Sequence, residues 1–152
     1  MISSATEYVL LGLAVVAYGA VPPLRRALSS RTRVLPQPVP DVTAADVERI
    51  VRRDFSEDQF VTVMAILDEY DPSKSESGRS RVQLAALKLA NGDTDKLRIN
   101  IDAAKRDYRD VLVPAEYPQH STSGFRGRKP PARERQKLID ADWKQYETWL
   151  RR

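Results

Sequence analysis

The chain has 152 residues and a net charge of +4 from 25 basic and 21 acidic side chains, which suits one small domain with appendages. It contains no cysteine and one histidine, His120, so disulfides, thiolate metal sites and cysteine nucleophiles are excluded. A zinc site would have to rely on carboxylates, which is uncommon. The charge is divided, because an acidic block at residues 41–118 lies between two basic flanks.

The N-terminal segment predicts a membrane anchor. Residues 8–24 are uncharged and mostly apolar, and four arginines follow by residue 33. Such a length is at the short end of a membrane span, and we assign residues 1–28 to a transmembrane anchor. A cleaved signal peptide and a buried helix of the folded domain are the alternatives, although residues 1–7 lack the positive charge of a signal peptide. The arginines predict a single-pass protein with most of the chain in the cytoplasm.

Residues 29–40 predict a proline-rich tether. Pro36, Pro38 and Pro40 alternate with other residues, a pattern that disfavours helix and favours an extended chain. The tether should hold the following domain away from whatever fixes the N-terminus.

Residues 41–118 predict a helical bundle of three to four helices. Thr43 is a good N-cap for a first helix that ends near Arg53. Ser56 caps a second helix, which the Asp71-Pro72 step brings to an end.

A central antiparallel hairpin completes this domain, running from Arg79 to Pro118. Its first arm is rich in Ala and Leu, and Gly92 and Asp93 supply a helix stop followed by a helix cap. The second arm has apolar residues at the spacing of one helix face: Leu97, Ile101, Ala104, Tyr108 and Val111. We predict that this arm continues to Pro114 or Pro118.

The hairpin also carries a resemblance. The run RVQLAALKLANGD at residues 81–93, followed by DYRDVL at 107–112 and AEYP at 115–118, resembles a group of small bacterial helical proteins with no assigned activity. The likeness covers roughly residues 55–118. It implies a helical domain and transfers no site residues.

The C-terminal part predicts a basic flexible loop at residues 119–131 and an amphipathic helix at residues 132–152. The helix places Ile139, Trp143, Tyr146 and Leu150 on one face. This face could lie among lipid headgroups or pack on protein. We expect packing on protein, because acidic residues are mixed into the polar face.

The sequence offers little catalytic chemistry. His120 lies in a predicted loop, where an exposed, inert residue is expected. The glycines form no phosphate-cradling loop, and no serine lies in a nucleophile elbow. Asp107 and Arg109 form a polar cluster that we expect to pair with Arg79, Arg81 or a helix end. We therefore assign no catalytic, cofactor-binding or metal-binding residue.

The best-marked binding signal is a basic arm that begins in the predicted loop. Flexible arginine beside an aromatic residue is typical of segments that track nucleic-acid phosphates, and the same charges would attract anionic lipid. A solvated linker with no partner is the alternative. The candidate residues for an anionic partner are Arg126, Arg128, Lys129, Arg133, Arg135 and Lys137.

Together these patterns predict an all-α protein with an N-terminal membrane anchor, a tether, a small bundle and a C-terminal amphipathic helix. The function we expect is a non-catalytic, membrane-tethered interaction module with a protein partner. A nucleic-acid-binding protein that uses the basic arm is the alternative, and an unrecognised enzyme is third.

Overall fold

A computed structural model of the chain describes residues 37–71, 78–123 and 130–152. Every regular element in these ranges is helical, as predicted, and no helix among them has the length and hydropathy to cross a bilayer. The proposed anchor and residues 29–36 of the tether lie outside the described residues. The α-helices are α1 (Ala44–Asp54), α2 (Phe60–Asp68), α3 (Arg79–Ala90), α4 (Thr94–Arg106), α5 (Arg109–Glu116), α6 (Pro118–Thr122) and α7 (Ala132–Arg151).

The first two helices begin where the sequence predicts. The Thr43 amide and hydroxyl both donate to the Asp46 carboxylate at 3.0 Å, forming a capping box that starts α1. Ser56 forms a second capping box with Gln59, but it starts a 3₁₀ turn, Glu57–Gln59, that leads into α2. Both helices turn their apolar residues into a common core.

The first arm of the hairpin, α3, is the central helix. It packs against α1, α4 and α5. Every residue from 82 to 87 is buried, and the small Ala85 and Ala86 allow neighbouring helices to approach on more than one side. Gln83, the buried polar residue of this run, donates to the Leu67 carbonyl at 2.9 Å, beside the Tyr70 amide that donates to the same oxygen at the end of α2.

The predicted turn of the hairpin is confirmed. Asn91 and Gly92 have φ of 51° and 80°, the left-handed conformation that ends a helix. The Asp93 side chain accepts the amides of Asp95 and Lys96 at 3.0 Å and begins α4. A Cβ added to Gly92 would lie 2.8 Å from the Asp54 backbone oxygen, so the turn packs closely on the end of α1.

The second arm is shorter than predicted, and this expectation is wrong. Helix α4 ends at Arg106, because Asp107 adopts an extended conformation and accepts the Arg109 amide at 2.9 Å. That bond begins α5, so Tyr108 packs partly buried on the core from the start of a new helix. The described part of residues 41–118 therefore contains five helices, α1 to α5. Pro114 lies inside α5, and Pro118 begins α6.

The C-terminal region also differs from the predicted loop. Residues 118–122 form α6, so residues 119–122 of the predicted loop are helical, whereas residues 124–129 lie outside the described residues. Helix α7 packs against α5 and α6 and buries Ile139 and Tyr146, while Trp149 and Leu150 contact the main core. The expectation that this helix packs on protein is confirmed within the described chain.

A glycine exchange tests the packing of the hairpin turn. Gly92→Ser should lower the free energy of unfolding by about 1–3 kcal/mol, because a side chain there needs a positive φ and meets the Asp54 backbone. Gly78→Ser is the matched control, since Gly78 precedes α3 with open space around it and serine is a good N-cap. Urea unfolding of the full chain in detergent, followed by circular dichroism, gives both values. Equal stability of the two variants would contradict the described turn.

Candidate functional site

The predicted anionic-partner residues are only partly described. Arg126, Arg128 and Lys129 lie outside the described residues. Arg133 and Lys137 are exposed on the first turns of α7, and neither makes an ion pair within the described chain. Arg135 is half-buried, and its Nε is buried without a hydrogen-bond partner among the described groups. Of the six candidate residues for an anionic partner, Arg133 and Lys137 are therefore the two that the described structure places in solvent.

A buried ion pair joins α3 to α5. Glu116 is 1% exposed, and its two carboxylate oxygens accept from Arg81 Nε at 2.7 Å and Nη2 at 2.6 Å. The pKa of Arg81 is raised by its hydrogen bonds to Glu116. This bidentate geometry compensates the cost of removing the carboxylate from water. Of the partners expected for the Asp107 and Arg109 cluster, Arg79 and Arg81 pair elsewhere, with Asp68 and Glu116. Asp107 instead accepts the Arg109 amide at the start of α5, which is the helix end that was also expected.

Lys88, two turns along α3 from Arg81, joins three helices. Its ammonium donates to the Ala115 carbonyl of α5 and to Gln145 Oε1 of α7 at 2.8 Å. It also lies 4.8 Å from the centre of the Tyr146 ring, within range of a cation–π interaction. Burial lowers the pKa of Lys88 to about 8, although the carboxylates of Asp142 and Glu116 oppose the shift.

Asp142 joins α7 to α6. This carboxylate is 1% exposed and accepts the backbone amides of Gln119 at 3.3 Å and His120 at 2.8 Å. Those are free amides in the first turn of α6, so Asp142 acts as a cap supplied from another helix. Its burial is thereby compensated by two hydrogen bonds.

Three aromatic rings follow one another along α7. The ring centres of Trp143 and Tyr146 lie 6.2 Å apart, and those of Tyr146 and Trp149 lie 5.7 Å apart. Tyr146 is fully buried, and its hydroxyl has no hydrogen-bond partner in the described structure. Burial raises the pKa of Tyr146 above its usual range. A neutral hydroxyl is therefore held beside the ion pair.

The end of the predicted tether lies on this same side of the domain. We call residues 37–41 the strap. The Tyr117 hydroxyl donates to the Pro38 carbonyl at 2.6 Å, and the Gln37 side-chain amide lies 3.2 Å from His120 Nδ1. Burial raises the pKa of Tyr117, so its hydroxyl remains a donor at neutral pH. His120, expected to be an inert loop residue, contacts the strap from α6.

Two clefts flank the strap. One, of about 250 Å³, lies between Val39, Pro40 and Asp41 and a wall of α7 formed by Trp143, Tyr146, Glu147, Leu150 and Arg151. The other, of about 220 Å³, lies between the strap and the start of α3, where Arg79 and Arg81 line it. The strap therefore fills only part of the surface on which it lies. Among the described residues, no group of three His, Asp or Glu side chains is placed to hold a metal ion.

This buried polar cluster was not predicted from the sequence, although the spacing of its residues is a recognisable pattern. Arg81 and Lys88 are seven residues apart and so share one face of α3, and Asp142 and Tyr146 are one turn apart on α7. A charged residue on the apolar face of a helix indicates a buried partner that can pair with it. The identity of that partner depends on how α5 and α7 pack against α3 and α6, which the sequence does not show.

No family model, curated protein or solved structure matches this chain. The resemblance of residues 55–118 to small bacterial helical proteins stays a prediction.

The buried ion pair can be tested against an exposed one. Glu116→Gln should cost about 3 kcal/mol of unfolding free energy, because it leaves Arg81 largely buried without a counter-charge. Glu48→Gln removes the same charge from an exposed pair with Arg52 and should cost about 0.5 kcal/mol or less. Urea melts of the two full-length variants provide the comparison. A cost for Glu116→Gln as small as that for Glu48→Gln would contradict the buried pair.

Lys88 should make stability depend on alkaline pH. An unfolded lysine has a pKa of about 10.4. With the folded pKa near 8, the unfolded chain binds more protons between pH 8 and about 10, so the free energy of unfolding should rise with pH across that window. Lys88→Met should remove this rise, whereas Lys96→Met, on the exposed side of α4, should retain it. Urea melts at half-unit pH steps measure the slope, and identical slopes for wild type and Lys88→Met would refute the assignment.

Proposed function

We propose that this protein is a non-catalytic helical interaction module, tethered to a membrane through residues 8–24 with most of its chain in the cytoplasm. The observation that carries the proposal is that the buried charged side chains form hydrogen bonds between helices. Glu116 and Asp142 each engage another helix through two hydrogen bonds, and Lys88 engages two. A domain in which buried charged groups hold helices together is suited to present a rigid surface.

The position of the strap supports the tethered arrangement. Because residues 37–41 are attached to the domain, only residues 29–36 would remain as a free tether. At about 3 Å per residue, these eight residues would reach about 25 Å, which would keep the domain close to the bilayer. A partner of such a module would be met near the membrane surface.

Nucleic-acid binding through the basic arm is the second candidate. Arg133 and Lys137 are exposed and unpaired in the described chain, and Arg133 lies in the first turn of α7, where the helix dipole disfavours a cation. A positive charge placed against the dipole is consistent with an external anionic partner. Phosphate contacts of this kind would weaken as salt is raised.

Membrane fractionation tests the tether. The wild-type protein should stay in the pellet after alkaline carbonate extraction, and Leu13→Arg/Val16→Arg should move it to the supernatant, because two charges in the apolar stretch prevent insertion. Val61→Arg/Ile99→Arg is the matched control, since both side chains are exposed on the domain at 77% and 65%.

Release of the wild-type protein by carbonate would overturn the anchor. Release by nuclease or by high salt, before carbonate, would favour the nucleic-acid candidate. Digestion of the domain by protease added to intact cells would overturn the proposed orientation.

A further inference from the structure

The strap lies on the domain in the manner of a bound peptide. Gln37 and Val39 each precede a proline, which restricts them to extended conformations, and proline itself has a fixed φ. An extended proline-rich chain makes no internal hydrogen bonds, so its carbonyls are free to accept from a partner. The Tyr117 hydroxyl donates to one of them, that of Pro38, at 2.6 Å.

The surface under the strap has the composition of a polyproline-binding site. Trp143 and Tyr146 contribute aromatic rings to the cleft beside it, together with Leu150 and the charged Glu147 and Arg151. Tyr117 lines neither cleft and donates its hydroxyl to the strap itself. Aromatic grooves with such donors recognise proline-rich segments, which lose little conformational entropy on binding because they are already extended.

The chain's own segment fits this surface incompletely. Pro38 is exposed and Val39 is 64% exposed, so neither is enclosed by the groove. Clefts of about 250 and 220 Å³ remain on the two sides of the strap. A segment held by two side-chain hydrogen bonds, to Tyr117 and His120, and flanked by open clefts can be displaced by a ligand that fills the clefts.

We infer that the surface on which the strap lies, formed by Tyr117 and the Trp143–Leu150 face of α7, is a docking site for proline-rich peptides, occupied in the free protein by the chain's own strap. This inference rests on the proposed role as an interaction module and names the chemistry of its partner. The strap competes from within the same chain at high effective concentration. The apparent Kd for an external peptide is therefore the intrinsic Kd divided by the fraction of molecules in which the strap is detached.

A peptide titration tests this inference on the full chain in detergent micelles. The probe is a synthetic peptide of residues 33–42, RVLPQPVPDV, and its control replaces the three prolines by alanine. Loosening the strap with Pro38→Gly/Pro40→Gly should lower the apparent Kd for the probe at least tenfold relative to wild type. The alanine peptide should bind the loosened protein at least tenfold more weakly than the probe.

Two tyrosine variants in the loosened background locate the binding site. Tyr117→Phe should weaken probe binding at least fivefold, because it removes the hydroxyl donor and keeps the ring. Tyr108→Phe is the matched control, since Tyr108 lies at the opposite end of α5 from Tyr117 and is partly buried, and it should leave binding unchanged.

Three results would overturn the inference: no probe binding to the loosened protein at millimolar concentration, equal binding of the alanine peptide, or indifference to Tyr117→Phe. Exchange of straps between two copies, seen as a dimer of the loosened protein that does not bind the probe, would also overturn it. Carbonate fractionation of the wild-type protein is independent of these titrations. A failed titration with a membrane-retained protein refutes the peptide site alone, whereas loss of membrane retention refutes the tethered module.

Discussion

The bidentate pair between Arg81 and Glu116 is the interaction on which the arrangement of the domain depends. It joins the middle of the bundle, α3, to the last residue of α5, and it lies where a lone charge would be strongly unfavourable. Because both oxygens of Glu116 are engaged, the end of α5 has one position relative to α3. The chain then turns at Tyr117 into α6, so the direction in which α6 begins follows from that contact.

Helix α7 is held by the same polar region. Lys88 reaches Gln145, Asp142 caps α6 from α7, and Arg53 donates to the Trp149 carbonyl at 2.8 Å near the other end of the helix. Apolar burial supplies most of the stabilisation of such a helix, but it is non-directional. The polar contacts specify the register in which Ile139 and Tyr146 are buried. The strap then lies against the face of α7 that remains.

The position of the strap bears on how the proposed tether would act. A freely jointed proline-rich linker would separate the domain from the proposed anchor without influencing the domain. A linker whose last residues lie across Tyr117 and α7 occupies domain surface, so the state of the tether and the availability of that surface are coupled. The proposed anchor and the proposed peptide site would then affect one another through residues 37–41.

Local sequence determined the helical class, the starts of α1 and α4, and the turn at Gly92. Helix caps and glycines with positive φ affect only residues a few positions away, so their effect can be predicted from the sequence. Periodicity failed at Asp107, where Leu97, Ile101, Ala104, Tyr108 and Val111 continue one apolar face across a helix break. The apolar spacing survives the break because both helices pack on the same core, whereas the break itself depends on one side-chain bond to the Arg109 amide.

Only the tertiary structure decided that Glu116 meets Arg81, that Asp142 caps α6 and that Tyr117 holds Pro38. Those pairs join residues 35, 22 and 79 positions apart in the sequence. The sequence does not show which partner a charged group or hydroxyl will have, because the partner is fixed only when packing excludes water and brings one complementary group within hydrogen-bond distance.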